Sequence, residues 1–471
     1  MWDLAKFNNK TAVITDNGEE YTYHDLAAET DKLAYQIKNR CLVIILCTNT
    51  IGCLIGYVSC IRKKIVPMML DSNMDMESLD HIIEKYRPKY LWIPKAQAGF
   101  EKYNTAYQDK NYKLIELHYA EDNRLYSELA LLLSTSGSTG SIKFVRQSYE
   151  NIKANTYSIA KYLKIDSNDA AITILPMHYT YGLSIINTHL YAGAVILLTA
   201  MSIVQRQFWN FFNSNNGTSI SGVPYTYEIL KKLNFSKLPQ PSLKTITQAG
   251  GKISQDINKY LVDYAKEQKC KLFIMYGQTE ATARISYLPY DKAESKRGSI
   301  GIAIPGGKMA LADINGIEIE MPNEVGEIVY TGDNVALGYA YDYRDLIKGD
   351  EWNKRLMTGD LGYRDEEGYY YITGRKDRFV KIFGNRLSLD ELESTLYQEY
   401  QEEIICILKD NVIYMFTTDD QIKDLIPKFI SMKTGINMNG FCVKIVSGIP
   451  KTSAGKISYS ALVEMLMEDL D

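Results

Sequence analysis

Leu131-Leu132-Leu133 runs straight into Ser134-Thr135-Ser136-Gly137-Ser138-Thr139-Gly140, and three residues later comes Lys143. An apolar run that reads as a buried strand therefore delivers hydroxyls, two glycines and a single cation. Glycine lets a backbone approach a ligand closely, and clustered N–H and hydroxyl groups make an anion-binding concavity. A polyphosphate is the simplest ligand for such a loop. Its order is not the G-x-x-x-x-G-K-[ST] of a Walker A loop. A plain Ser/Gly linker is the competing reading, but a linker has no need of an apolar strand before it or a lone lysine after it. A second stretch, Leu272-Phe273-Ile274-Met275, reads as a strand ending in Tyr276-Gly277-Gln278-Thr279-Glu280. Beside a phosphate loop, Glu280 becomes a candidate Mg²⁺ ligand, because that ion is commonly held by one or two carboxylates plus substrate phosphates.

These stretches, in this order, resemble the motifs of the adenylate-forming superfamily of acyl-CoA synthetases, non-ribosomal peptide adenylation domains and luciferases. The loop is similar to [ST]-[ST]-G-[ST]-[ST]-G-x-P-K-G, with Ile142 where proline is usual and Phe144 where glycine is usual. Tyr276-Gly277-Gln278-Thr279-Glu280 matches Y-G-x-T-E, and Thr358-Gly359-Asp360-Leu361-Gly362 matches T-G-D-[LV]-[GA]. Gly326-Glu327-Ile328 with Gly338-Tyr339, the segment Gly374 to Arg386, and Pro450-Lys451-Thr452-Ser453-Ala454-Gly455-Lys456 resemble the remaining motifs.

The resemblance implies an enzyme that joins a carboxylic acid to ATP, releases pyrophosphate, and passes the acyl group to CoA or to the phosphopantetheine of a separate carrier protein. It implies that Ser134 to Gly140 and Lys143 cradle phosphates, with Gly250, Gly251 and Gly277 at neighbouring strand ends. Thr279 and Glu280 would bind ATP and Mg²⁺, and Tyr276 would lie against adenine. Asp360, otherwise readable as a turn aspartate, would bind the ribose hydroxyls, with Arg375 near ribose and phosphate. Asp377 would be the hinge to a small lid, Lys456 the lid lysine reaching carboxylate and α-phosphate, and Gly384 part of the thiol's path.

Where amino-acid-activating members carry F-D-x-S, this chain has Tyr181-Gly182-Leu183-Ser184. Without that aspartate a buried α-ammonium would cost several kcal/mol, which disfavours ordinary α-amino acids. Tyr179, Tyr181, Gly182, Tyr225 and Met275 are expected to line the acyl pocket, their bulk suiting a short or hydroxylated acid. His178 falls one position before the histidine common in acyl-CoA synthetases, and a local structural role suits it better. Other readings are an amino-acid-activating enzyme, a non-catalytic nucleotide-binding protein that kept the fold, and an oxygenase of luciferase type, for which no residue argues.

Positioning such loops requires strands that end together, and strand–helix alternation predicts an α/β fold with parallel pairing. Helices are expected from about His24, over Asp80 to Arg87, over Tyr149 to Leu163, over Ser388 to Tyr400 and near Ile422 to Lys433. The apolar stretch 41–61 is long enough to span a bilayer. Thr48-Asn49-Thr50 divides it, however, and a buried strand–helix unit is expected instead. The expected architecture is a large N-terminal domain (1–376) of stacked α/β sheets with a small β-barrel-like subdomain, then a mobile α+β lid (377–471). At 471 residues with net charge −4 and 23% charged side chains, the chain gives no electrostatic reason for a nucleic-acid or membrane partner. Seven cysteines without a C-x-x-C pair, and no basic-then-apolar start, point to reduced thiols in the cytoplasm.

Overall fold

The computed structural model describes residues 2–119, 123–134, 143–383, 385–452 and 455–468. The chain folds into two compact units, one holding most of residues 1–308 together with Tyr330–Leu356, the other holding Met309–Val329 and the chain from Met357 on.

In the first unit, strands Leu42–Cys47, Val66–Asp71, Tyr90–Pro94 and Leu129–Ser134 form the parallel centre of an eight-stranded sheet. Phe144–Ser148 and then Gly338–Ala340 extend one edge antiparallel. A nine-stranded sheet carries parallel strands Ala170–Ile172, Ser219–Gly222, Thr245–Gln248 and Lys271–Tyr276, so three candidate loops leave the carboxyl ends of neighbouring strands. A core joins residues of both sheets, among them Val13 and Ile196 with Val43, Ile45 and Trp92, and takes in helix Ile51–Arg62.

That helix accounts for the membrane-like hydropathy of 41–61. Every residue from Ile51 to Ile61 is buried, and a helix with apolar neighbours all round has no polar face to show. Thr50 is its N-cap, and the flanking strands pair in parallel. Among the described residues no helix is long and apolar enough to cross a membrane. Helix Tyr149–Leu163 starts at a Ser148–Asn151 capping box, two orphan N–H groups being satisfied reciprocally. The second helix expected from sequence starts earlier, at Met76, because Asp75 caps it by accepting from Ser78 N.

In the second unit, Gly307–Ala312, Gly326–Gly332, Arg355–Arg364 and Tyr370–Arg375 are neighbours in one four-stranded sheet. This four-stranded sheet occupies the place where a small β-barrel-like subdomain is expected. Beyond it, strands Ile405–Lys409, Val412–Thr417 and Phe441–Ile445 form a small sheet whose core includes residues of helices Leu389–Tyr400 and Ile426–Thr434. The mixed α/β class is as expected.

Candidate active site

Ser134 pairs with Phe144 across an antiparallel ladder, so the glycine-rich stretch joins two strands of a hairpin. A Walker loop would enter a helix instead. The strand Phe144–Ser148 was not foreseen in the sequence. Thr135, Ser136, Gly137, Ser138, Thr139 and Gly140 lie outside the described residues, but both ends of the hairpin are placed. Lys143 sets its ammonium 3.8 Å from the ring centre of Tyr339. Tyr339 in turn donates a hydrogen bond of 2.8 Å to Glu280 Oε1. Burial, then the adjacent Glu280 charge, pushes the Tyr339 phenol well above its ordinary range, so it stays a donor. Cation, ring and carboxylate therefore form a chain of contacts joining three chain segments, the ammonium over the ring and the carboxylate at its hydroxyl.

The turn carrying Thr279 and Glu280 is held through its backbone. Gln147 Nε2 donates to Thr279 O (3.1 Å), and Ala336 N donates to Glu280 O (2.9 Å). Asn334 Nδ2 reaches the carbonyls of Ala281 and Arg284, both at 2.9 Å. Thr282 has φ 65° and ψ −41°, and Ala283 N donates to Ala281 O at 2.7 Å. That is a γ-turn of the rare positive-φ kind, on a β-branched residue, which costs on the order of 1–3 kcal/mol. The Thr282 hydroxyl donates to Asn334 O (2.7 Å), and Thr180 bonds the Thr282 carbonyl, so the surroundings hold the strained form. Gly277 needs to be glycine, because a β-carbon there would run into the Ala283 carbonyl.

Among the described residues no group of three or more His, Cys, Asp or Glu could hold a metal ion. A divalent cation here would have to share Glu280 with phosphate oxygens, the donor set that suits Mg²⁺.

Of the expected acyl-pocket residues, Tyr179, Tyr181 and Met275 are brought together around Arg284. The Tyr179 and Tyr181 rings meet edge-on at 6.3 Å. The Arg284 guanidinium lies 4.0 Å from the Tyr181 ring centre. Tyr181 is buried, its hydroxyl bonded to the backbone and hydroxyl of Thr247 (2.9 and 2.7 Å). Met275 Sδ accepts from the Tyr162 hydroxyl (2.9 Å). Gly182 has a packing reason: a β-carbon there would collide with the Pro176 carbonyl and lie 2.8 Å from that of Leu175. Gly250, with positive φ, sits against the Tyr179 hydroxyl, and Gly251 against Pro224. Tyr225 is 41% exposed near the start of helix Pro224–Lys232. His178 Nε2 lies 3.7 Å from Asp71 Oδ2, and burial lowers its pKa against that carboxylate's pull.

In the second unit Asp360 is buried on its strand directly opposite Arg375, whose Nε donates to it at 3.0 Å. The neighbouring Gly359 N donates to Glu327 Oε1 (3.1 Å), and the same carboxylate holds Lys376 (2.9 Å). Asp377 lies in the short turn Lys376–Arg378. Arg378 is paired with both Asp390 and Glu393. Lys456 lies in a turn closed by Thr452 N donating to its carbonyl (2.7 Å). Gly384 lies outside the described residues.

Tyr339 and Arg284 were not picked out as site residues in the sequence. Tyr339 stood inside a motif, but its partner is 59 positions away. Arg284 follows Glu280 by four residues and carried no pattern of its own.

A family model described as AMP-binding enzyme matches residues 2–340. The chain belongs to this family. As an AMP-binding enzyme it is 24% identical to a probable CoA ligase of Humulus lupulus, over 99% of this chain and 95% of that one. It is 27% identical to an oxalate–CoA ligase of Arabidopsis thaliana, over 72% and 68% of the two chains. Its fold superposes on the o-succinylbenzoate CoA synthetase of Bacillus subtilis in complex with AMP. There the TM-score is 0.79 at 21% identity, over 98% of this chain and 97% of the other.

Proposed function

We propose that this AMP-binding enzyme is an acid–thiol ligase. A carboxylate oxygen of the substrate attacks the α-phosphorus of ATP, the α–β phosphoanhydride bond breaks, and pyrophosphate leaves. A thiol then attacks the acyl carbonyl, AMP leaves, and the thiol proton passes to solvent. The observation that carries this reading is the contact chain Lys143–Tyr339–Glu280, whose lysine immediately precedes the strand that follows the hydroxyl- and glycine-rich segment. A triphosphate approaching a carboxylate needs its charge neutralised, and a lysine with a cation shared by Glu280 would supply that.

Residues 134–140 would cradle the β- and γ-phosphates. Buried Asp360, held by Arg375, would accept from the ribose hydroxyls. Lys456 would bridge carboxylate and α-phosphate, so that positioning contributes as much as charge. We take residues 377–471 as a lid turning about Asp377, with Gly384 along the thiol's path. The acceptor is CoA or a carrier-protein phosphopantetheine, and the CoA ligases among the relatives favour CoA. Six buried free cysteines support a reducing, cytoplasmic setting.

The substrate is not an ordinary α-amino acid. The backbone has closed over the place of the missing aspartate at Gly182, and Arg284 would repel an ammonium nearby. ATP–pyrophosphate exchange over a panel of carboxylic and amino acids tests the reading. Exchange with a non-amino acid, abolished in Lys456→Ala, is the expected result. Silence across the panel would favour a non-catalytic nucleotide-binding protein.

A further inference from the structure

Arg284 is 2% exposed, and among the described residues its guanidinium contacts a carbonyl and aromatic side chains but no carboxylate. Its polar contacts are with neutral groups. Nη1 donates to the adjacent Ala283 carbonyl (3.2 Å), the Tyr181 ring lies beneath it, and the Tyr162 hydroxyl lies beside it. Nε has no hydrogen-bond partner. An arginine is charged at any physiological pH and is seldom fully buried without a counter-ion.

The same side chain lines a cavity of about 40 Å³, space for about three water-sized groups. Helix Thr180–Ala192 contributes Tyr181, Ser184, Thr188 and His189 to one wall, and Ser221 and Thr247 face them from the sheet. Apolar side chains such as Ile159, Leu163 and Met275 share the lining, and its one carboxylate, Asp169, is paired with Lys244 at 3.2 Å. Tyr181 and His189 are eight positions apart, so this wall is about 12 Å long. His189 Nδ1 lies 2.9 Å from the Ile185 carbonyl, and its buried Nε2 has no partner. A pocket for a saturated acyl chain has no use for a bare guanidinium, an imidazole nitrogen and a row of hydroxyls, because each unsatisfied buried polar group costs free energy.

We propose that Arg284 is the counter-charge for a second anionic group on the acid substrate, so that the enzyme takes a short dicarboxylic or comparably anionic acid. This rests on the acid-activating reading above. One carboxylate reacts with ATP while the other is held in the cavity by the guanidinium over Tyr181. Serine and threonine hydroxyls along the wall, with His189 Nε2 beyond, accommodate polar substituents between the two ends.

The test uses the full-length enzyme with malonate, succinate and glutarate against propionate and butyrate. Pyrophosphate exchange is the first readout, and acid-dependent thermal shift without ATP is the second. The wild type should favour a diacid by about a hundredfold in kcat/KM. Arg284→Gln should lose that preference about a hundredfold, the cost of leaving a buried charge unpaired. The discriminating quantity is the ratio of diacid to monoacid exchange, which should fall in Arg284→Gln whatever the absolute rates. Arg284→Lys, which keeps a charge if Gln upsets folding, should restore part of the preference. A diacid should also raise the melting midpoint of the wild type and not that of Arg284→Gln.

Equal use of monoacids and diacids by the wild type would overturn the proposal. So would equal loss for both classes in Arg284→Gln and Arg284→Lys, which would assign Arg284 to the reacting carboxylate or to packing. If no acid supports exchange, the ligase reading fails. Diacid binding by thermal shift that depends on Arg284 would still support the anion site, and no shift with any diacid would refute it.

Discussion

Tyr339 shows how one hydroxyl can couple the end of the hairpin at Lys143 to Glu280, the acid proposed to share a metal ion with phosphate. Its ring receives the Lys143 ammonium and its O–H orients Glu280. Removing the O–H in Tyr339→Phe should leave the ring and the lysine contact in place while freeing Glu280 to rotate. By the usual effect of losing a partner that orients a metal ligand, activity should fall about 10–100-fold, with a rise in the Mg²⁺ concentration needed for half-maximal exchange. An unchanged Mg²⁺ requirement would detach Tyr339 from the metal. The strained Thr282 is the second residue-scale feature. Thr282→Gly accepts positive φ without cost but loses the hydroxyl bond to Asn334, so the two effects oppose each other.

At the scale of elements, the close fit of helix Thr180–Ala192 against the turn at Leu175-Pro176 decides which side chain position 182 can carry. Gly182→Asp would restore the acid found in amino-acid-activating relatives of the superfamily. Its β-carbon has no room, however, and the expected outcome is destabilisation by at least about 1–3 kcal/mol, without gain of α-amino-acid exchange. Chemical denaturation and the exchange panel check both halves. In the second unit, Arg378 serves two carboxylates, Asp390 and Glu393. Burial pushes Glu393 up to about 7 despite that arginine. Arg378→Ala would strand two acids largely shielded from water and should cost about 3–5 kcal/mol, read as earlier unfolding of this unit by proteolysis.

Across the whole molecule, acid sensitivity should come from buried imidazoles. Burial lowers the pKa of His189 and of His178 below the ordinary 6.5. Below pH 6.5 the unfolded chain binds protons that the folded protein refuses. Stability therefore falls as pH drops from 6.5 towards the folded-state values, by at most about 1.4 kcal/mol per pH unit for each group. Glu393, held near 7 in the folded protein, gains stability over the same window and offsets part of this loss. The check is therefore the difference between the thermal midpoints of wild type and His189→Gln from pH 7.5 to 5, the variant showing the smaller acid-induced fall.

Most elements, and the order of the chemistry along the chain, are written locally in the sequence. Short motifs, the longest being Gly374 to Arg386, are local in the chain, and their strands end where the apolar runs end. Capping at Thr22–Asp25 and Ser148–Asn151 is likewise encoded by neighbouring side chains. Even the buried helix at Ile51–Arg62 is legible, because the polar Thr48-Asn49-Thr50 break is a local signal. Which distant groups meet is settled by tertiary folding alone. Tyr339 reaches Glu280 because an edge strand added antiparallel beside Phe144–Ser148 sets it there. Gly182 is glycine because two carbonyls occupy the space, and Arg284 meets a carbonyl and a ring, with no carboxylate among the described residues. Pairing, close approach and the lack of a counter-ion depend on contacts between segments far apart in the chain. No spacing rule within one segment encodes them.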